Sequence, residues 1–359
     1  MRGFLVLLAV VLAFPAAQLR AGDDLVGLER IIAAWLESPH GDYHSRSFTY
    51  WNADGEVPTS CATCHSETGM LDFLGVGGLT PGEIDHPGAI NSPIGCASCH
   101  TEEGHALDAV TFPSGVEATG LGASATCMVC HQGRQSNDQV AARVDGKALD
   151  EVSDELSFVN IHYGASAAVM YGAAARGGVQ YDGRSYVGQF MHVPAANTCS
   201  DCHNPHSTEV EPASCLACHT EGADDLRDIR VQHVDFAATG DRAGGIHTEI
   251  EAFRDALFDA IRRYADEVVG EPIAYGGGFP YFFASPDGTG TMPDDMLSRD
   301  NRYQHWTPRL LKAAYNYQVA RLNPGAYAHN PRYMMQLLHD SLHSLSEAID
   351  IDMTAMIRP

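Results

Sequence analysis

Lysine is nearly missing from this 359-residue sequence. Only Lys147 and Lys312 occur, and the basic residues total 22 against 46 Asp and Glu, a formal charge of -24. A chain so short of positive charge repels phosphate and anionic lipid, which excludes electrostatic binding to nucleic acid or to a charged membrane surface. Long hydrophobic runs are scarce too. The unbroken apolar run at residues 4–14 has 11 residues, whereas a spanning helix needs about 20, so an integral membrane protein is not expected. Disorder is excluded by composition, with 45% apolar and 19% charged residues. No cysteine is left over from the spacing described below, and this matters most.

The short apolar run lies behind Arg2, stops at Pro15 and is followed by small residues. That is the pattern of a secretory leader over residues 1–21, with cleavage after Ala21 or Ala17. The expected product is exported, either periplasmic or extracellular and at the cell surface.

An exported chain with an even number of cysteines is ordinarily read as disulfide-bonded. Here the spacing overrules that reading. The ten cysteines form five Cys-x-x-Cys-His units: Cys61, Cys64 and His65; Cys96, Cys99 and His100; Cys127, Cys130 and His131; Cys199, Cys202 and His203; Cys215, Cys218 and His219. Two thiols three positions apart can each add to one vinyl group of a haem, and the adjacent imidazole then meets the iron as its proximal ligand. Zinc sites made of cysteine pairs need two pairs per metal, which leaves one pair over and gives the histidine no task. Five covalently bound haem c groups are therefore expected. The first cysteines are 35, 31, 72 and 16 residues apart, so the units are not a repeat of fixed period.

Each iron has one further axial position, and thirteen histidines remain to fill five. His206 follows His203 by three residues across Asn204-Pro205, which turns it away from its own haem and toward a neighbour's. His192 precedes Cys199 by seven. His162 lies in an apolar and aromatic stretch, and His40 and His329 stand beside Pro, Gly or Asn turns near the two ends of the chain. His339 and His343, one turn apart beside leucines, read as ordinary helix positions, while His44, His86, His105, His233, His247 and His305 are reserves. Candidate partners for haem propionates are Arg134 and Arg184, with Arg176 and Arg309 behind them, because a guanidinium fork suits a carboxylate.

The fold class expected is mainly α with much irregular structure, in a multihaem arrangement. Residues 22–245 form the haem-binding region, rich in Gly, Pro and short polar stretches. Residues 246–359 form a helical region packing upon it. There an apolar stripe runs from Ile246 to a stop at Gly270, a second helix starts at Thr307-Pro308 and runs to about Leu322, and a third starts at Asn330-Pro331, with Met334, Leu337, Leu338, Leu342, Leu345 and Ile349 on one face. The acidic segments 235–241 and 285–290 suggest calcium only faintly, since oxygen ligands at alternate positions are mostly missing. They are read as turns.

Several strings, CATCHS, CMVCHQGR, NIHYGASAAVMYG, GQFMHVPAANTCSDCHNPHS and NPGAYAHNPRYMMQLLHDS, resemble those of exported bacterial multihaem c-type cytochromes, over roughly residues 35–349. The resemblance implies an electron carrier with two histidines on each iron, the distal ones being His40, His162, His192, His206 and His329. It also implies redox partner proteins, which this acidic chain would meet through basic docking surfaces, with self-association open. The alternative is a multihaem oxidoreductase of the nitrite, hydroxylamine or sulfur-oxyanion type, with one five-coordinate haem and a residue such as Tyr163 beside it. The chain has no Cys-x-x-Cys-Lys unit, and electron transfer rather than catalysis is the expectation.

Overall fold

The computed structural model describes residues 20–162, 164–194, 196–219, 225–285 and 287–359. The leader expected at residues 1–21 lies almost wholly outside them, and Tyr163 lies outside them too. About 41% of the chain is helical and sheet is slight, which agrees with a mainly α protein. Among the described residues, no helix is long and apolar enough to cross a membrane.

The chain opens with α1 (Arg20–Glu37), a helix that the sequence reading did not anticipate. The Cys-x-x-Cys-His units then lie on or at the ends of short helices: α2 (Thr59–His65), α3 (Ala97–His100), α4 (Ser124–Cys130), α5 (Cys199–Cys202) and α6 (Pro212–Leu216). In the last four units the histidine N–H closes the turn on the carbonyl of the first cysteine, at 2.9–3.0 Å. One turn is what the chemistry asks for, because residues three and four apart lie on one helix face. A small antiparallel pair, β1 (Ala109–Thr111) with β2 (Glu117–Thr119), precedes α4. Around it Met70, Leu74, Val110, Phe112, Leu121, Met128 and Val129 form a minor core.

The major core is helical. It is built on α7 (Ile246–Tyr264), which ends in a π turn over Ala265–Val269 and a left-handed Gly270. It continues through α8 (Pro308–Arg321), α9 (Ala326–His329) and α10 (Pro331–Ser346). Thr307 and Asn330 cap α8 and α10 by accepting from Leu310 N and Tyr333 N, both at 3.1 Å, with Pro at the first helical position in each. Phe253, Leu257, Ile261, Trp306, Tyr315, Tyr333, Leu337 and Leu338 are fully buried between the helices. A hairpin, β3 (Ile273–Tyr275) with β4 (Phe282–Ala284), covers one end.

Buried polar groups tie this core to the haem-motif half. Asn316 of α8 accepts from Val179 N at 2.7 Å and donates to Val179 O at 3.0 Å. Gln318 accepts from Ile161 N at 3.2 Å. Such bonds matter because a buried backbone group left unpaired costs about 1–3 kcal/mol. They fix the backbone beside His162. The C-terminal tail returns along α10, where Arg358 grips the buried carboxylate of Asp340 at 2.8 and 3.0 Å.

Candidate haem sites

Each of the five motif histidines faces an imidazole from outside the motifs across a gap of nearly constant width. His65 faces His162 with ring centroids 5.9 Å apart, His100 faces His206 at 6.3 Å, His131 faces His40 at 6.2 Å, His203 faces His329 at 6.4 Å and His219 faces His192 at 5.9 Å. These partners are the five histidines singled out from sequence as distal candidates, each used once. Which candidate faces which motif could not be read from sequence and is supplied here.

Local chemistry aims the rings. An imidazole whose Nδ1–H is donated to a fixed carbonyl presents Nε2 as its free lone pair, the form in which histidine binds metal. His65 Nδ1 donates to Ser47 O at 2.9 Å, His203 Nδ1 to Thr208 O at 3.1 Å and His329 Nδ1 to the Asn323 Oδ1 at 2.9 Å. His131 donates to the carbonyl of Gly164. A second device holds two distal rings. His162 N and His206 N donate to the side chains of Asn160 and Asn204, two residues earlier, at 2.9 and 3.0 Å. These Asx turns were legible as Asn-x-His in the sequence and were missed. The first of them sets His162 in the left-handed region, at φ 69°, a conformation that costs energy and that the Gln318 bond to its neighbour helps to hold.

Protonation follows the same logic. Burial pushes His329 down to about 4, helped by His203 and His131 nearby. Burial, with His65 and Arg134, takes His162 to about 4 as well. His40, His65 and His131 are also lowered, chiefly by burial. All five shifts favour the neutral ring, which is the ligating one.

The cofactor that the motifs imply is haem, and the residues can be tested against it. A metal–imidazole bond is about 2 Å long and a ring nitrogen lies about 1.2 Å from its ring centre, so two imidazoles on opposite sides of one metal have centroids about 6.4 Å apart. The observed 5.9–6.4 Å matches this spacing. All ten thiols are unpaired, and none of them is fully buried. Among the described residues no group of three or more His, Cys, Asp or Glu side chains is placed to hold a metal ion. Apart from His105 beside His100, the imidazoles come in twos, which suits a ligand that brings its own four equatorial nitrogens.

Four of the other histidines are engaged elsewhere. His86 lies against Asp72 at 3.4 Å, His233 donates to Arg242 O, His247 packs on Tyr327, and His339 packs on Phe253 and contacts Asp340. His105 is the exception, with its ring 5.7 Å from that of His100. Among the arginines, Arg309 is taken up by Asp150 and Glu347, and Arg176 by Asp138, so these two serve the scaffold. Arg134 sits beside the His65–His162 pair, its backbone N bound to Ile161 O at 2.9 Å. In the acidic turns Asp235 and Asp287 accept from their own loops, at Thr239 N, Gly240 N and Thr289 N.

Comparison with known proteins gives a consistent picture. The chain is 25% identical over 414 aligned positions to the C-type polyheme cytochrome OmcB of two strains of Geobacter sulfurreducens, an alignment covering 95% of this chain and 51% of theirs. To the C-type polyheme cytochrome OmcC of the same species it is 24% identical, over 83% of this chain and 38% of that one. The chain thus spans about half the length of the curated relatives it matches. No family profile and no solved structure matches it. This similarity, running through nearly the whole sequence, supports placing the chain among the multihaem c-type cytochromes.

Proposed function

We propose that this protein is an exported pentahaem cytochrome that relays electrons through five haems, each ligated by two histidines. The observation that carries the reading is the pairing itself: each of the five motif histidines faces a different one of the five distal candidates, at a separation suited to a shared metal. The cysteines of each unit would hold the porphyrin edge, and covalently bound haem supplies a one-electron ferric/ferrous couple. His65, His100, His131, His203 and His219 would be the proximal ligands. His162, His206, His40, His329 and His192 would respectively be the distal ones.

The chain's own residues would set the electron energies. Two imidazoles favour ferric iron more than a His/Met pair does, so low potentials are expected. Carbonyl acceptors on Nδ1 add to this by making the ring a stronger donor. With a histidine on each face, the iron would have no position open to substrate, which suits transfer rather than turnover. With a formal charge of -24, the partners are redox proteins that present basic surfaces, and the association weakens with salt.

The test is a haem count by alkaline pyridine spectrum together with electron paramagnetic resonance of the oxidised protein. The expected result is five haems per chain, all low-spin. A high-spin component that responds to nitrite, hydroxylamine or cyanide would favour the oxidoreductase instead.

A further inference from the structure

The five sites do not form a simple string. Helix α4, which carries the third motif, is touched by the cysteine-bearing turns of three others. Cys130 meets Cys64 of the first motif side chain to side chain, and its sulfur lies 3.8 Å from Thr63 O. Thr126 hydrogen-bonds Cys99 of the second motif. Cys127 meets Cys199 of the fourth, whose backbone N donates to Ser124 Oγ at 3.2 Å. The histidines repeat the last relation, since His131 lies within electrostatic range of both His203 and His329. The fifth motif adjoins the fourth, through Cys202 and Cys215. Near the first and second motifs the side chain of Glu67 accepts from Ala97 N at 3.1 Å, a contact in which no cysteine takes part.

Sulfur position has a direct consequence, because the thioether cysteines mark one edge of each porphyrin. Where the cysteines of two motifs touch, the edges they carry are brought together, and electron exchange is fastest between the closest edges. We infer that the third site is a junction, adjacent to the first, second and fourth, with the fifth reached only through the fourth. This rests on the pentahaem reading above. The path then branches and has three ends, at the first, second and fifth sites, so that an electron entering at one end can leave at either of two others. A linear carrier read in sequence order would have two ends and no choice of exit.

The ends differ in their surroundings. The first has Trp51 packed 5.2 Å from His65 and Arg134 nearby. The second has the additional imidazole of His105. The fifth is completed by His192, which is exposed. Three ends of unlike chemistry are what different docking partners would select between.

The experiment is to locate the irons by anomalous scattering in crystals of the unmodified holoprotein. Iron three should have irons one, two and four as near neighbours, and iron five should have only iron four. A chain of nearest neighbours running one, two, three, four, five, with irons one and three not adjacent, overturns the junction. Fewer than five irons per chain overturns the pentahaem reading instead, so the two failures are separable. A second measurement needs no crystal. Redox titration of H40M, H162M, H206M, H329M and H192M, and of H40M combined with each of the others, measures coupling as the departure from additivity. Coupling to H40M is expected for H162M, H206M and H329M and not for H192M. Additive behaviour of H40M with H162M overturns the inference.

Discussion

Replacing Asn323 by Leu tests how the distal ligands are held. Asn323 is 3% exposed, and its Oδ1 accepts from Nδ1 of His329 at 2.9 Å. Leucine nearly preserves the volume and removes the acceptor. The magnitude can be reached by two routes. A buried N–H left unpaired costs about 1–3 kcal/mol. Loss of an outer hydrogen bond to a ligating histidine ordinarily weakens metal binding about 10–100-fold, equivalent to about 1.4–2.7 kcal/mol. The routes overlap near 2 kcal/mol, roughly a 30-fold weakening of the His329–iron bond. The ring would also turn more freely and donate less strongly, so the potential of one haem should rise. Potentiometric titration with electron paramagnetic resonance of the same samples reads both effects. The expected result is one perturbed haem, four unchanged, and a partial high-spin signal on mild acidification. Five unchanged potentials together with an unchanged low-spin spectrum would refute the claim that Asn323 orients the ligand.

Other outcomes follow from the same geometry. Arg134→Gln removes a positive charge beside the His65–His162 pair, which stabilises ferric iron there; a fall of up to about 40 mV in one of five potentials is expected on redox titration. Gly164→Ala places a methyl carbon 2.9 Å from His131 Nδ1 at a φ of +67°, where a side chain costs about 1–2 kcal/mol before any clash; loss of low-spin signal from one haem is expected, with the other four retained. Asp340 governs acid stability. Burial pushes its carboxyl up, but hydrogen bonds from His339, Arg358 and Tyr186 outweigh this and hold it at about 2. Because the folded state lowers this group, its contribution is present above the ordinary value near 4 and is lost as pH falls through about 2. The difference amounts to about 2 kcal/mol. Asp340→Asn should lower the guanidinium midpoint at pH 7, and the gap to the unmodified protein should close below pH 2; a gap that persists there would assign the effect to packing.

Much of the helical half could be read from the sequence because its signals are local. Thr307-Pro308 and Asn330-Pro331 announce their helices, and the caps form where the residue types require. Gly270 marks the end of α7, although nothing in residues 265–269 signals a π turn. Helix α1 was hidden by the adjoining leader-like residues, and the three-residue strands of the β3–β4 hairpin are too short to show a period of two. In the haem-motif half, the identity of the paired histidines was legible from turn residues and context. Their partnering was not. Which ring faces which depends on contacts such as Gln318 to Ile161, made between residues far apart in sequence. The carbonyl anchors of His65, His131 and His203 come from Ser47, Gly164 and Thr208, and a backbone acceptor leaves no mark on residue type.

The imidazole pairs also determine how the chain can be divided. Drawn as arcs along the sequence, 40 to 131, 65 to 162, 100 to 206, 192 to 219 and 203 to 329, each arc crosses the next. The arcs interlace like links, and no cut between His40 and His329 leaves every pair whole. A fragment ending after the fifth motif would keep all ten cysteines and still orphan His203. Shuffling, truncation or duplication can therefore act on this segment only as a whole, and a motif count alone overstates how modular it is.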